Sequence, residues 1–175
     1  WVAERFVAIE DIITRRPDAL LPVIQSIIGG ARDKTAVDGF KAEYRLQHYR
    51  RHARRVFDDV DFMLTPTAGT LYTIAEVLAD PIKLNSNLGY YTNYLNLLDC
   101  AAVAVPAGFL PNGLPWGVSF IAPAMQDRKL LSYAHRWQQA LGLRLGALEW
   151  VAEISTARPI IPTDHTPLVV CGAHL

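Results

Sequence analysis

The sequence predicts an α/β fold in which helices cover a mixed central sheet, and it predicts that the fold is incomplete in this chain. Three observations lead to this prediction. Apolar side chains recur at helical spacing in the first third of the 175 residues, whereas the middle holds short apolar runs bounded by Pro and Gly. Both ends of the chain lie inside apolar stretches. We therefore expect both ends to be cuts within folded elements, one of which would leave a bare strand.

The first third of the chain predicts three helices. The first carries an apolar stripe and ends at Pro17, and a second is expected over residues 18–28, before two glycines. A third and longer helix is expected over about residues 35–57, where Thr35 and Asp38 have the spacing of a capping box. The stripe of the first helix contains Val2, Phe6, Ile9 and Ile13.

The middle of the chain predicts strands. Residues 61–65 form a short apolar run that ends at Pro66, and a turn-rich stretch at 106–115 joins two further runs, 101–105 and 117–121. The run at 61–65 is expected to form a buried strand, and neither of the other two runs alternates cleanly, so we expect both of these to be strands buried on both faces. Between the first and second strands, a helical turn is expected over 73–78 and a helix over 88–98.

A last helix is expected to begin at Asp127, and the chain then changes character. From about residue 153 it is rich in Thr, Pro and Arg without periodicity, which is typical of a linker. The final residues again form an apolar run. We therefore divide the chain into a domain portion at 1–152, a linker at 153–166 and the first strand of a truncated second domain at 167–175.

Composition excludes several classes of function. Seventeen basic and seventeen acidic residues balance, which gives no reason to expect binding to nucleic acid or to an anionic membrane. No apolar run approaches the roughly 18 residues that a membrane span needs. Cys100 and Cys171 lie far apart, and reduced thiols are expected rather than a disulfide. The chain is expected to be cytoplasmic.

No catalytic nucleophile can be identified in the chain. None of its serines lies in a Gly-x-Ser-x-Gly elbow or in a loop rich in Gly and Ser, and Ser119 is expected to pack within a strand. His48 and His52 have a spacing that could chelate a metal, but no third ligand is evident and arginines surround them, so a solvated helix face is favoured. We expect no catalytic residue and no metal site.

Among the basic residues, only Arg5 is a candidate for binding an anionic ligand. The cluster at 45–55 is followed by aspartates, and we interpret it as a solvated helix end. Arg5 differs because it lies at the flank of the apolar stripe of the first helix, where its guanidinium could bind a carboxylate in a bidentate manner. The alternative is an arginine that extends into water beside the stripe. The pattern alone favours this alternative.

Three blocks of sequence, taken together, resemble the C-terminal half of the amidase-signature family. They run from Tyr91 to Asp99, from Ala104 to Phe109 and from Asn112 to Val118, in that order. In that family this part of the chain forms two strands of a mixed central sheet and the hairpin between them. Further segments resemble the allophanate hydrolases of the family, at residues 1–5, 40–46, 64–68, 80–86 and 170–175.

The resemblance implies that the chain is a fragment of an enzyme that converts allophanate to ammonia and carbon dioxide during urea degradation. The family uses a Ser–cis-Ser–Lys triad, which would lie upstream of Trp1, and none of the lysines here matches its lysine motif. The isolated fragment is therefore expected to be inactive. The resemblance implies no cofactor, a urea carboxylase as a partner or fused domain, and a possible homodimer.

Substrate recognition is the one function that the resemblance assigns to this chain. It implies that Arg5 is a clamp for the substrate carboxylate. This favours carboxylate binding over the solvated arginine that the pattern alone favoured. Tyr91, Thr92 and Asn93 are implied as weaker candidates for the same pocket. Thr65 and Thr67 are expected to form a structural strand end.

Two other hypotheses remain open at this point. The parent could be a general amidase or the A subunit of an amidotransferase, although a neutral amide needs no carboxylate clamp. It could also be a degenerate domain that binds or scaffolds without catalysis. An upstream sequence that lacks a segment rich in Gly and Ser would favour this last hypothesis.

Overall fold

The computed structural model describes residues 1–143. The predicted linker at 153–166 and the predicted strand at 167–175 lie outside the described residues. The described part contains two short 3-10 helices, at Pro17–Ala19 and Gly30–Asp33, together with six α-helices and three strands. In chain order these elements are α1 (Val2–Arg15), α2 (Pro22–Gly29), α3 (Ala36–Val56), β1 (Met63–Pro66), α4 (Ile74–Ala79), α5 (Pro81–Leu88), β2 (Cys100–Phe109), β3 (Pro115–Pro123) and α6 (Asp127–Leu141).

The N-terminal helices pack on one another. Ile13 of α1, Ile28 of α2 and Ala31 of the following 3-10 turn are buried there. The second helix does not begin at residue 18 as predicted but at Pro22, after the first 3-10 turn. A helix from residue 18 would place Pro22 in its interior, where the ring clashes with the preceding turn, whereas the first helical position tolerates proline.

The long helix α3 confirms the sequence prediction. Thr35 is its N-cap, and its hydroxyl accepts a hydrogen bond of 3.2 Å from the Asp38 amide. The Asp38 carboxylate in turn accepts one of 3.0 Å from the Thr35 amide, which completes the capping box. Large apolar side chains of α3 are open to solvent, since Tyr49 is 58% and Val56 41% exposed.

The segment that follows β1 differs from the prediction. The expected turn at 73–78 forms α4, which Thr73 and Glu76 cap reciprocally. The helix expected over 88–98 is wrong, because α5 spans Pro81–Leu88 and residues 89–99 form successive turns. Asp80 caps α5 and Pro81 is its first residue, a start signal that the prediction did not use. Gly and Asn residues favour turns over a continued helix in 89–99.

The three strands form one sheet in the order β1-β3-β2, and both pairs are antiparallel. The predicted hairpin joins β2 to β3, and its turn contains Gly113 at φ +82°, a left-handed conformation that glycine adopts without strain. The chain therefore has the expected α/β class. The parallel pairs of a mixed sheet are not among the strand pairs of residues 1–143.

The main core lies between one face of the sheet and α6. Leu130 and Ala134 of α6 are buried against alternate residues of β2 and β3. The Phe120 ring packs on Phe62 and Trp137, with ring centroids 5.0 and 5.6 Å apart, and the Trp137 indole donates a 2.8 Å hydrogen bond to the Pro106 carbonyl. This core fixes β3 and therefore the residues at its ends.

The other face of the sheet is only partly covered. The central strand β3 is buried almost continuously, as predicted, but β2 is not buried on both faces, because Ala102 and Ala104 are exposed. The edge position of β2 in this sheet explains the difference. The exposed alanines lie on the face opposite α6, in register with Ile121 and Ser119 of β3.

Candidate functional site

Arg5 lies in the first turn of α1, where its guanidinium stacks on an aromatic ring. The Arg5 Cζ atom is 4.8 Å from the ring centroid of Trp1, and the Arg5 amide donates a 3.0 Å hydrogen bond to the Trp1 carbonyl. The Arg5 side chain is exposed. The ion pairs within residues 1–143 are Arg15–Asp11 and Lys129–Asp61, so no carboxylate of the described chain occupies the Arg5 guanidinium.

A second guanidinium lies beside α1. Arg32 belongs to the 3-10 turn that packs on this helix, and its Cζ atom is 5.6 Å from the ring centroid of Phe6. Sequence reasoning did not single out Arg32. The contact joins residues 26 positions apart through the packing of α1 on the turn, so no local pattern could have revealed it.

Tyr91, Thr92 and Asn93 lie in the turns between α5 and β2. The amides of Thr92 and Asn93 both donate to the Gly89 carbonyl, over 3.0 and 2.8 Å. A Cβ atom at Gly89 would overlap the Asn93 side-chain amide, so the glycine makes room for it. The Tyr91 ring lies against Gly69, since a Cβ there would be 3.6 Å from Tyr91 Cε2. Tyr91 therefore borders the loop that follows β1.

That loop begins at a cluster of hydroxyls where β1 ends. The Thr67 and Ser119 hydroxyls are 2.9 Å apart, and the Thr67 amide donates a 3.0 Å hydrogen bond to the Gly117 carbonyl. Thr65 pairs with Ser119 across the strands, and its hydroxyl oxygen is buried without a hydrogen-bond partner among the described residues. Ser119 is 3% exposed, which agrees with its predicted packing role.

The structure joins some of the predicted site residues but not all of them. Tyr91, Thr92 and Asn93 lie together in one segment. No hydrogen bond, ion pair or ring contact in residues 1–143 links Arg5 to this segment, because α1 packs on α2 and the adjacent 3-10 turns. Arg5 and the three turn residues are thus two separate candidates within the described chain.

The described residues show no catalytic nucleophile with a base. The Ser119 hydroxyl is bonded to Thr67, the Ser86 hydroxyl donates to the Ile82 carbonyl at 2.8 Å, and Lys129 is bound to Asp61 at 2.7 Å. This hydrogen bond raises the pKa of Lys129 and so favours its charged form. Within residues 1–143 no group of three His, Cys, Asp or Glu side chains could hold a metal ion.

The basic cluster at 45–55 has a structural role at one position. The Arg50 Nε donates a 2.8 Å hydrogen bond to the Leu97 carbonyl and ties α3 to the turns before β2. Beside this bond lies a cavity of about 200 Å³, and Arg54, Asp99 and Cys100 are among the residues that line it. Cys100 is a free, half-buried thiol whose pKa is raised by burial and, to a smaller extent, by the Asp99 charge.

Comparisons with known proteins relate this chain to one family. The family model described as Amidase matches residues 13–131. The chain is 37% identical to the urea amidolyase of Saccharomyces cerevisiae over 186 residues, which cover 100% of this chain and 10% of that protein.

No helix of the described residues is long and apolar enough to cross a membrane.

Solved structures agree with this match. A selenomethionine form of Kluyveromyces lactis allophanate hydrolase has a TM-score of 0.78 and 35% identity, covering 85% of this chain and 24% of that one. Kluyveromyces lactis urea amidolyase has a TM-score of 0.76 and 35% identity, covering 81% of this chain and 9% of that one. The chain belongs to the amidase family, and it spans a quarter or less of the length of these relatives.

Proposed function

We propose that this chain works within a longer amide hydrolase that cleaves allophanate, the N-carboxylated form of urea, to ammonia and carbon dioxide. The likeness to allophanate hydrolase and urea amidolyase across most or all of the chain supports the reaction class. One local observation carries the substrate assignment: Arg5 presents an exposed guanidinium that no carboxylate of the described chain occupies.

Arg5 supplies the chemistry that separates allophanate from a neutral amide. Allophanate carries a carboxylate, and a guanidinium binds it through two parallel N–H···O hydrogen bonds that also fix its orientation. Fixed orientation brings the amide carbon of a small substrate to the nucleophile, which is a large part of what an enzyme contributes to such a reaction. Arg5 is thus proposed as a substrate-binding residue, and Tyr91, Thr92 and Asn93 are weaker candidates that no contact within residues 1–143 joins to Arg5.

The bond-breaking groups come from elsewhere in the polypeptide. A Ser–cis-Ser–Lys triad upstream of Trp1 supplies the nucleophile, the proton relay and the base. The partners of Ser119 and Lys129 support this assignment, since Ser119 is buried against Thr67 and Lys129 is paired with Asp61 rather than with a serine. The 175-residue chain alone is therefore predicted to release no ammonia from allophanate.

The partners follow from the substrate. Allophanate is made by carboxylation of urea, so a urea carboxylase, either fused or separate, is the expected supplier. The likeness to urea amidolyases about ten times as long as the matched region supports fusion. A homodimer remains a proposal at the level of the family.

Substrate discrimination by the full-length polypeptide tests this function. Biuret is the matched control because it has the same shape as allophanate but ends in a neutral amide. Since a site built for a carboxylate leaves its cation unpaired when it binds biuret, we expect kcat/KM for ammonia release to favour allophanate by at least about a hundredfold. Equal rates on the two substrates would favour a general amidase instead, and no release from either would favour a non-catalytic domain.

A further inference from the structure

We propose that Trp1 is a positioning residue, whose ring holds the Arg5 guanidinium in the orientation that binds the substrate carboxylate. This inference rests on the proposed function of Arg5 and adds a second residue to the same site. It starts from the stacking contact at the first turn of α1, where Arg5 Cζ lies 4.8 Å from the Trp1 ring centroid.

Helix geometry makes this contact a property of the local sequence. Trp1 is the N-cap of α1 and Arg5 lies four residues later in the first turn, so the two side chains are near enough to meet. Side chains on a helix lean toward its N-terminus, which carries the long Arg5 side chain back over Trp1. The backbone hydrogen bond from Arg5 to the Trp1 carbonyl fixes the spacing between the two residues.

Stacking leaves the binding edge of the guanidinium free. An aromatic ring engages the flat face of the guanidinium, whereas a carboxylate takes two N–H donors along its edge. Trp1 therefore does not compete with the substrate. It removes rotational freedom that an exposed arginine would otherwise lose on binding, and this lowers the entropic cost of holding the substrate.

The contacts of Trp1 differ from those of a core tryptophan. Within residues 1–143 its one cation–π or ring-to-ring contact is with Arg5. A core tryptophan would instead be buried among apolar neighbours, as the half-buried Trp137 is against Phe120 and the rest of the core. Phe6, the aromatic partner of Arg32, is also half-buried in the helical packing.

A double-mutant cycle in the full-length polypeptide tests the proposal. Trp1→Leu removes the aromatic face, Trp1→Phe retains it, and each change is made alone and together with Arg5→Ala. For allophanate, we expect Trp1→Leu to raise KM about threefold to tenfold with kcat changed less than about twofold, while Trp1→Phe loses much less. In the Arg5→Ala background, Trp1→Leu should cause no further loss.

Three other outcomes overturn the proposal in distinguishable ways. An equal loss from Trp1→Leu with and without Arg5 would show that Trp1 acts through folding or another contact, and would leave the Arg5 clamp intact. A silent Arg5→Ala would remove the clamp itself, and the role of Trp1 with it. A drop in kcat without a change in KM would also contradict a role in holding the carboxylate.

Discussion

At the scale of single residues, a pair of hydroxyls and the contacts of two guanidinium groups fix the side chains of the candidate sites. Ser119 is buried in β3, and its hydroxyl is hydrogen-bonded to the Thr67 hydroxyl over 2.9 Å. The sequence indicated that Ser119 packs in a strand, but not that Thr67 is its partner, because the contact depends on the register of β1 against β3. Arg5 was found from a motif, whereas Arg32 depends on tertiary packing.

Removal of the Ser119 hydroxyl should destabilise the end of β1. Ser119→Ala leaves the Thr67 hydroxyl half-buried without its partner, so we expect a loss of about 1–3 kcal/mol in the free energy of unfolding. The midpoint of urea unfolding of the full-length polypeptide measures it, with the exposed Ser132→Ala as control. Equal midpoints for the two variants would show that the hydroxyl pair contributes nothing.

Cys100 should react slowly with alkylating agents. Burial and the Asp99 charge raise its pKa, so less thiolate is present at pH 8 than in an unfolded chain. Iodoacetamide labelling of the Cys100 peptide, followed by mass spectrometry, should accelerate on unfolding in urea. The raised pKa contributes stability that is present below the pKa of the unfolded thiol and is lost as pH rises through the folded pKa.

At the scale of elements, the sequence predicted where a helix begins well where a capping motif is present, and less well where no such motif was used. The capping box at Thr35 placed the start of α3 correctly because both of its hydrogen bonds lie within four residues. The helix expected over 88–98 is wrong because the prediction did not use the start signal at Asp80 and Pro81, and the helix that begins there ends at Gly89. The weak candidates at 91–93 therefore lie in turns rather than on a helix.

The cap of α3 should be sensitive to both substitution and acid. Thr35→Ala removes the side-chain acceptor and should lower stability by about 1 kcal/mol, whereas Thr35→Ser should retain it. Hydrogen bonds from Thr35 lower the pKa of Asp38, so this contribution is present above the carboxyl pKa of the unfolded chain and is lost as pH falls through the folded value. Hydrogen exchange at the Asp38 amide reports both effects, and unchanged protection in Thr35→Ala would contradict them.

At the scale of the whole molecule, the described residues leave apolar surface that a stable domain would cover. An apolar groove of about 370 Å³ lies between α3 and the turns before β2, lined by Tyr49, Met63 and Leu97 among others. The alanines of β2 face solvent on the side opposite α6. The α/β class was predictable from periodicity, whereas the extent of this bare surface depends on tertiary packing that periodicity does not specify.

The isolated 175-residue chain should therefore unfold without cooperativity. Within residues 1–143, the exposed alanines of β2 and the open groove leave too little apolar surface buried to support a single sharp transition. Differential scanning calorimetry measures this directly, and 8-anilinonaphthalene-1-sulfonate should bind the chain under native conditions. A sharp transition whose calorimetric and van't Hoff enthalpies agree would show that the chain is a self-sufficient domain.

The central claim, that Arg5 binds the carboxylate of allophanate, is tested most directly by comparing Arg5→Ala with Arg15→Ala in the full-length polypeptide. Both arginines lie on α1 and both are exposed, but Arg15 is paired with Asp11 at the opposite end of the helix. We expect Arg5→Ala to lower kcat/KM for allophanate at least about thirtyfold, roughly 2 kcal/mol, and Arg15→Ala to leave it within about twofold. Equal values for the two variants would contradict the account and return Arg5 to the solvated surface.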